Sequence, residues 1–288
     1  MKVLVLGATG LLGNAVLRVL CEAGVHEVSG TARRMDAARH FTPAVASRLV
    51  AVNDIEDLDE LERLFDAVRP DAVVNCVSVG KPLPADPMRT IALLSLLPQR
   101  LAALCARRGA RLVQMGSDGV FTGAKGKYVE DDCADATDVY GVAKILGEVR
   151  DAHAVTIRAS ILGPELGTKH SLLEWFLAQD GSCRAFTRAI FSGLPTVVLA
   201  RVIRDVILPR PGLHGIYHVA AAPISKYELL RRVAERYGKT IELVADDSVV
   251  IDRSLVARRF ADATGFEAPG WDALVEEMHS YRYGLTGN

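Results

Sequence analysis

The chain has 288 residues, of which 50% are hydrophobic and 24% are charged, and its formal net charge is -1 at pH 7. This charge provides no general attraction to nucleic acid or to an anionic membrane, so neither is expected as a partner. The five cysteines form no C-x-x-C pair and no apolar run reaches membrane-spanning length, so we expect reduced thiols, no metal site and a cytoplasmic protein.

The N-terminus joins an apolar strand to a glycine-rich turn. Residues 3–6 are an unbroken apolar run, typical of a buried parallel strand. Glycines follow in G-x-x-G-x-x-G spacing, and a helix is predicted from Asn14. Such a turn lets the backbone approach a pyrophosphate at a helix N-terminus, which predicts a bound dinucleotide. The residues expected against it are Gly7, Thr9, Gly10, Leu11, Leu12 and Gly13.

Further apolar strands alternate with amphipathic helices through the first two thirds of the chain. The predicted strands are residues 27–31, 49–52, 72–77, 111–115 and 155–158, and the predicted helices include residues 58–68 and 91–105. Strands at these intervals, with helices between them, imply right-handed crossovers. The sequence therefore predicts an α/β fold with a doubly wound parallel (Rossmann) sheet.

The order of elements changes beyond Gly163. The predicted elements there are helices at residues 171–179, 196–208, 227–237 and 271–281, a loop within 164–192, and a strand at 215–219. A chain of this length exceeds a typical single core, which predicts a smaller second lobe. We expect residues 1–160, with 190–222 returning to them, to form the dinucleotide-binding domain. Residues 161–189 and 223–288 would form a substrate-binding lobe.

The end of the second strand bears on the choice of dinucleotide. An acid there would bind the ribose hydroxyls of NAD, but this chain has Arg33 and Arg34. An arginine pair can clamp a 2′-phosphate, so NADP(H) is expected in preference to NAD(H), and a solvated basic turn is the alternative. Asp54 and Ile55 are expected at the adenine edge, unless Asp54 is a helix N-cap. Also expected beside the cofactor are Cys76, Val77 and Ser78.

A tyrosine and a lysine four residues apart carry the catalytic signal. Tyr140 and Lys144 would share one face of a helix, and Ser117 would lie at the end of the fifth strand. Ligands bind beyond the carboxyl ends of strands in such sheets, so these side chains are expected to surround a reacting carbonyl. The lysine charge is expected to lower the pKa of Tyr140, and its ammonium to bind the nicotinamide ribose. An ordinary helix face is the alternative.

With these residues the chain resembles the extended short-chain dehydrogenase/reductases, and within them the dTDP-4-dehydrorhamnose reductases and related nucleotide-sugar reductases. Residues 116–123, G-S-D-G-V-F-T-G, are similar to that family's S-T-D-Y-V-F-D-G. Residues 140–148, Y-G-V-A-K-I-L-G-E, are similar to its Y-G-x-x-K-x-x-G-E. Residues 191–200 are similar to its F-x-P-T-Y-x-x-D-L-A, and residues 252–255 to its R-x-x-x-S-L-D stretch.

The chain departs from this family at several motif positions. Gly119 replaces the family's tyrosine, which is expected to remove a ring from the substrate pocket, and Thr122 replaces an acid. Val256 stands near the aspartate of S-L-D. The glutamate that follows aspartate in nucleotide-sugar dehydratases is missing after Asp118, which disfavours dehydration. We therefore expect an altered sugar pocket with reduction retained.

The resemblance implies NADPH-dependent reduction of the 4-keto group of a nucleotide-linked 6-deoxyhexose, in surface polysaccharide or deoxysugar biosynthesis. Tyr140 would donate the proton, Lys144 would hold the ribose and Ser117 would bind the carbonyl oxygen. The residues expected at the nucleotide-sugar substrate are Lys81, Asp118, Val120, Trp175 and Arg253. A strand-end cap for Asp118, a surface ion pair for Arg253 and, with more weight, core packing for Trp175 are the alternatives.

Two other classes of protein stay open at this point. One is a nucleotide-sugar epimerase that uses NAD(P) transiently, and the other is a non-catalytic, NADP-binding regulatory protein. The presence of serine, tyrosine and lysine together counts against the second class. A homodimer is also left open.

Overall fold

A computed structural model gives the fold and describes residues 1–79 and 86–283. In chain order its strands are β1 (Lys2–Leu6), β2 (Glu27–Ala32), β3 (Leu49–Ala51), β4 (Ala72–Asn75), β5 (Arg111–Met115), β6 (Ala154–Arg158), β7 (Ile161–Leu162), β8 (Ser182–Phe186), β9 (Ala189–Phe191), β10 (Leu194–Pro195), β11 (Gly215–His218), β12 (Ile224–Ser225), β13 (Glu242–Asp246) and β14 (Ile251–Asp252). Its α-helices are α1 (Gly13–Ala23), α2 (Pro43–Ala46), α3 (Leu58–Val68), α4 (Pro87–Ile91), α5 (Leu97–Arg108), α6 (Val139–Leu146), α7 (Leu172–Leu177), α8 (Thr196–Val202), α9 (Lys226–Arg236), α10 (Arg258–Thr264) and α11 (Trp271–Tyr283). Short 3-10 segments cover Met35–His40 and Asp118–Val120, and π-helical segments cover Ala92–Leu96 and Ile203–Ile207.

Seven parallel strands form the main sheet, in the order β11-β6-β5-β4-β1-β2-β3. The chain proceeds from β1 to β2 and β3 on one side and then returns to β4 on the other side. This reversal is a topological switch point beyond the carboxyl ends of β1 and β4, the place where doubly wound sheets bind ligands. The predicted doubly wound parallel sheet is confirmed.

Helices cover both faces of this sheet. Alternate side chains of a strand point to opposite faces, and β1 shows both environments. Val3 and Val5 pack in a buried cluster with residues of α1 and α8, whereas Leu4 and Leu6 pack in a second cluster with residues of α3 and α5. Burial on both faces explains why the strand reads as a continuous apolar run rather than as an alternation.

Most predicted elements agree with the structure to within a few residues. The helix Leu58–Val68 has the predicted bounds, and the side chain of Asp57 caps it by accepting from Asp59 and Glu60 N–H groups. The fourth strand ends at Asn75, two residues earlier than predicted, because the Asn75 side chain accepts from the Val77 N–H and turns the chain. The helix predicted at residues 91–105 starts earlier, at Pro87, and passes through a π-helical segment.

The C-terminal part contains strands that the sequence did not predict. Within the region predicted as a helix and a loop, β8 pairs in parallel with β13 in a two-stranded sheet. A three-stranded sheet follows the order β12-β9-β14. The largest buried cluster includes Phe176 of α7 and Leu274 of α11 together with Val3 of the main sheet. The lobes therefore share one continuous core, and their division at the stated boundaries stays a prediction.

Two other features of the described chain bear on the expectations from composition. All five cysteines are free thiols, as predicted. Across residues 1–79 and 86–283, no helix combines the length and the apolar character needed to cross a membrane.

Candidate active site

The glycine-rich turn between β1 and α1 is shaped by close backbone contacts. Gly7 has a φ of 71°, in the left-handed region that favours glycine. A Cβ on Gly13 would collide with the carbonyl oxygen of Gly7, whereas one on Gly10 would lie 3.3 Å from the same oxygen. Two of the three glycines are thus needed for space or backbone conformation, and Gly10 lies exposed at the tip of the turn.

Side-chain hydrogen bonds fix the conformation of this glycine-rich turn. The Thr31 hydroxyl accepts from the Gly7 N–H at 3.0 Å, and the Asn14 amide donates to the Gly10 carbonyl at 2.8 Å. The helix begins after Leu12, whose side chain makes no cap, and residues 13–16 are uncharged. The N-terminal end of this helix carries the positive end of the helix dipole and suits a pyrophosphate, so the residues present fit a dinucleotide.

The residues expected at the adenosine end lie just past β2 and β3. Arg33 and Arg34 are exposed, and the Arg34 guanidinium lies 3.6 Å from the Asp36 carboxylate in a solvated ion pair. Asp54 is not a helix N-cap, because Asp57 fills that position and the Asp54 side chain accepts from the Glu56 N–H at 2.9 Å. The side chain of Ile55 is partly buried against the second cluster.

The structure brings the three predicted catalytic side chains together beyond β5. The Tyr140 hydroxyl oxygen lies 3.5 Å from the Ser117 Oγ, and the Lys144 ammonium donates to the Met115 carbonyl at 3.0 Å. Tyr140 and Lys144 share one face of α6, whose N-terminus Asp138 caps by accepting from a backbone N–H. Placing a phenol, a hydroxyl and an ammonium at one strand end gives an arrangement suited to polarising a carbonyl.

The segment Cys76-Val77-Ser78 links this site to the glycine turn. Backbone atoms of Cys76 and Val77 lie 3.1–3.2 Å from the position that a Cβ on Gly7 would take. At its other end Ser78 is hydrogen-bonded to Tyr140. The predicted cofactor and catalytic residues therefore meet along one edge of the sheet.

Burial is the largest cause of the pKa shifts of the two titratable groups predicted to be catalytic. Desolvation raises the pKa of Tyr140, and hydrogen bonds with Ser117 and Ser78 oppose that rise only in part. Desolvation also lowers the pKa of Lys144 to about 8. The expectation that the pKa of Tyr140 is lowered is wrong for this structure, because desolvation of the buried phenol outweighs the interactions that favour its charged form. The Lys144 ammonium donates to the Met115 carbonyl.

Of the residues expected at the substrate, Val120 lies elsewhere than predicted. Val120 is fully buried in a cluster with Phe121, Tyr128 and Leu255, because the 3-10 turn directs its side chain inward. Its side chain has no surface for a substrate, and the prediction of such a contact is corrected accordingly. Lys81 lies outside the described residues.

Three other expected substrate residues have exposed or partly buried side chains. Asp118 accepts from the Ser117 hydroxyl at 3.3 Å, and Ser117 itself caps the 3-10 turn. Trp175 is 39% exposed, so the expectation of core packing is wrong, since Leu173 and Phe176 fill the buried face of α7. The buried Nε of Arg253 has no hydrogen-bond partner among the described residues.

The position after Asp118, a glycine where the resembled family has tyrosine, lies against Tyr140 and Ser117. A Cβ on Gly119 would lie 3.0 Å from the Cε1 atom of Tyr140 and 3.1 Å from the Ser117 Oγ. A side chain at this position is thus directed at the Tyr140 ring. The expectation that Gly119 removes a ring from the substrate pocket stays a prediction.

A buried ion pair behind the site was not anticipated. Arg158 donates to Glu148, and it also contacts the ring of His218, 3.2 Å away. Two sequence features could have indicated this ion pair. Arg158 ends an apolar strand, and Glu148 ends the Y-G-x-x-K-x-x-G-E motif. Burial lowers the pKa of His218 to about 3, so the imidazole is neutral at pH 7.

Comparisons with known proteins agree with this architecture. The sequence matches the profile of the RmlD substrate binding domain over residues 1–249. It is 28% identical to the probable low-salt glycan biosynthesis reductase Agl14 of Haloferax volcanii, over 90% of this chain and 87% of that protein. It is 30% identical to methionine adenosyltransferase 2 subunit beta of Rattus norvegicus, over 82% of this chain and 72% of that protein. The crystal structure of dTDP-4-dehydrorhamnose reductase from Bacillus anthracis in complex with NADP has the same fold, with a TM-score of 0.80, 17% identity, and coverage of 97% of this chain and 98% of that one.

Proposed function

The chain belongs to the family of the RmlD substrate binding domain, and we propose that it is an NADPH-dependent reductase of a nucleotide-linked sugar. The observation that carries this proposal is the continuity between two sites. Cys76 and Val77 contact the glycine turn, while Ser78 contacts the phenol of Tyr140. A dinucleotide held by the turn would extend along this edge toward the catalytic side chains.

The chain's own groups suit NADP(H), with NAD(H) as the alternative. The glycine turn would hold the pyrophosphate, Arg33 and Arg34 would bind the 2′-phosphate, and Asp54 and Ile55 would border the adenine. Bound NADPH would supply the hydride. The Lys144 ammonium, carried on the same helix as Tyr140, would hold the nicotinamide ribose.

Tyr140 would act as the proton donor. Its raised pKa keeps the phenol protonated at neutral pH, so a proton is available at the hydroxyl oxygen. As the substrate carbonyl becomes an alkoxide, that proton would move to the carbonyl oxygen. The Ser117 hydroxyl, 3.5 Å from the phenol oxygen, would hydrogen-bond to the same oxygen and stabilise its developing charge.

The proposed substrate is a nucleotide-linked 6-deoxyhexose with a keto group at carbon 4, as in surface polysaccharide or deoxysugar biosynthesis. The relative in Haloferax volcanii is named as a glycan biosynthesis reductase, which supports this class. Arg253 suits the diphosphate because its buried Nε has no hydrogen-bond partner among the described residues. Asp118 would contact a sugar hydroxyl, and the exposed ring of Trp175 would stack on the base.

The proposal is tested by adding dTDP-, UDP- and GDP-linked 4-keto-6-deoxyhexoses to the purified protein and following the absorbance of NADPH. We expect steady oxidation with at least one of them, and its loss in Tyr140→Phe. Conversion of a sugar without net oxidation of NADPH would instead indicate the epimerase. Absence of turnover with all three nucleotides, in a protein that still binds NADPH, would contradict the proposal.

A second candidate is a non-catalytic NADP-binding regulatory protein. The observation that favours it is the 30% identity to a protein that is named as a subunit of another enzyme. The arrangement of Ser117, Tyr140 and Lys144 at one strand end favours the reductase, because a protein that only binds has no need of a buried ammonium and a protonated phenol together.

A further inference from the structure

We propose that Gly119 is a positioning residue, which fixes the Tyr140 ring against Ser117 by having no side chain. The inference rests on the proposed reductase function, because it concerns the proton donor of that reaction. Gly119 lies in the 3-10 segment Asp118–Val120, between the strand that ends near Ser117 and the loop that leads to α6. Gly119 lies beside both Ser117 and Tyr140, the two residues whose hydroxyl groups face each other.

Gly119 meets the two catalytic groups in different ways. Its N–H donates to the Ser117 Oγ at 3.0 Å, which holds that hydroxyl in place. An added Cβ would lie 3.0 Å from the Cε1 atom and 3.4 Å from the Cδ1 atom of Tyr140. The space left by the missing side chain of Gly119 therefore borders one edge of the Tyr140 ring.

The backbone of Gly119 does not itself demand glycine. Its φ lies outside the left-handed region, unlike that of Gly7 or Gly123. A substitution by alanine is therefore resisted by neighbouring atoms and not by backbone strain. The atoms that an added Cβ would meet belong to Tyr140 and Ser117, which are the residues assigned to the reaction.

The helix cannot easily move away to relieve such a contact. A Cβ on Gly141 would lie 2.5 Å from the Gly119 carbonyl oxygen, so the first turn of α6 packs directly on the 3-10 segment. The Ala136 N–H donates to the Val120 carbonyl at 3.0 Å and fixes the loop before the helix. With the backbone held on both sides, an alanine at position 119 would displace side chains, and the Tyr140 ring is the nearest.

The consequence for catalysis follows from the distance between the two hydroxyl oxygens. At 3.5 Å this separation is already at the outer limit of a hydrogen bond, so a shift of a few tenths of an ångström would break it. Misplacing a reacting group by about 1 Å costs about a hundredfold in rate. We expect Gly119→Ala to lower kcat by about tenfold and to leave the dissociation constant for NADPH unchanged.

A double-mutant cycle with Tyr140→Phe tests whether Gly119 acts through the phenol. If it does, Gly119→Ala lowers kcat in the wild-type background but has an effect near unity in the Tyr140→Phe background, where the hydroxyl is already missing. Gly212→Ala is the matched control, because within the described chain no atom lies within 4 Å of a Cβ added there. That control should leave kcat unchanged.

A crystal structure of Gly119→Ala provides a readout that does not depend on activity. We expect the Tyr140 ring to be displaced and the oxygen–oxygen separation from Ser117 to exceed 3.5 Å. An unmoved ring, a kcat within twofold of the wild type, or an equal loss in both backgrounds would overturn the inference. Failure of the wild type to oxidise NADPH would overturn the proposed function, and the ring position would still decide this inference.

Discussion

Arg158 on β6 donates to both carboxylate oxygens of Glu148, at 2.5 Å and 2.9 Å, just beyond the end of α6. Only 2% of the arginine side chain and 4% of the glutamate side chain are exposed. The guanidinium also lies over the Phe121 ring, 5.1 Å from its centre. This pair links the segment that follows the helix carrying Tyr140 and Lys144 to the main sheet.

We predict that Glu148→Ala lowers the free energy of unfolding by about 3–5 kcal/mol, because it leaves the Arg158 guanidinium buried without a counter-charge. The measurement is urea denaturation at pH 7. Glu277→Ala is the control, since Glu277 pairs with Arg201 on the surface and such a pair contributes about 0–1 kcal/mol. Equal losses in the two variants would show that the buried pair contributes nothing special.

Replacing Arg33 and Arg34 together by alanine should weaken the binding of NADPH and leave that of NADH nearly unchanged. Charge-assisted hydrogen bonds contribute roughly 1.5–3 kcal/mol, which corresponds to about a ten- to hundredfold change in the dissociation constant. Isothermal titration calorimetry with both cofactors measures the difference. Arg39→Ala, an exposed arginine in the same region, should change neither affinity. A parallel loss for NADH would refute binding of the 2′-phosphate by the pair.

Tyr140→Phe should lower kcat by about 10²–10⁴-fold, because it keeps the ring but removes the proton donor. The dissociation constant for NADPH should stay close to that of the wild type. Ser117→Ala should cost less, since water can replace one hydroxyl in part, and Lys144→Ala should reduce both turnover and cofactor affinity. Steady-state kinetics and fluorescence titration of NADPH separate these effects. Near-normal turnover in Tyr140→Phe would refute the catalytic assignment.

The fold was predictable where local pattern and tertiary environment agree. Strand β1 is apolar on both sides because helices cover both faces, and Asp57 marks the start of α3 by an ordinary N-cap. Strand β8 was missed because it is short and only two of its side chains are buried. Exposed Ser182 and Arg184 alternate with buried Cys183 and Ala185. Its pairing partner lies far along the chain, and no local pattern reports such a pairing.

The shared helix face of Tyr140 and Lys144 was predictable from the sequence, whereas the electrostatics around these two residues was not. A spacing of four places Tyr140 and Lys144 on one helix face whatever the surroundings. The pKa of each group depends on burial and on the atoms that its polar end meets, and the Met115 carbonyl could not be foreseen as the partner of Lys144. The burial of Val120 likewise depends on the turn after Ser117.

The glycines of the N-terminal turn should respond unequally to alanine. A Cβ on Gly13 meets the backbone carbonyl of Gly7, which no side-chain rotation can relieve, whereas one on Gly10 would lie 3.3 Å from that oxygen. We expect Gly13→Ala to lower the free energy of unfolding by about 1–3 kcal/mol, as overpacking does, and to abolish binding of NADPH. Gly10→Ala should remain as stable as the wild type. Thermal melting with and without NADPH checks both, and equal behaviour of the two variants would contradict the steric argument.

The pH dependence of the reaction should report Lys144. Burial lowers the pKa of Lys144 to about 8, so the ammonium is charged below that pH and neutral above it. The unfolded chain holds this proton to higher pH, so on account of this group the free energy of unfolding increases as the pH rises from about 8 toward 10.5.

The activity should follow the opposite trend, because kcat/KM for NADPH requires the Lys144 ammonium and falls as the pH rises through about 8. Tyr140, whose pKa is raised above its ordinary value, stays protonated near pH 8 and does not produce the decline. In Lys144→Arg the charge persists, so the residual activity should show no decline near pH 8. The residual activity of Tyr140→Phe should still decline near pH 8, because Lys144 is unchanged. The reverse pattern would assign the titration to the tyrosine.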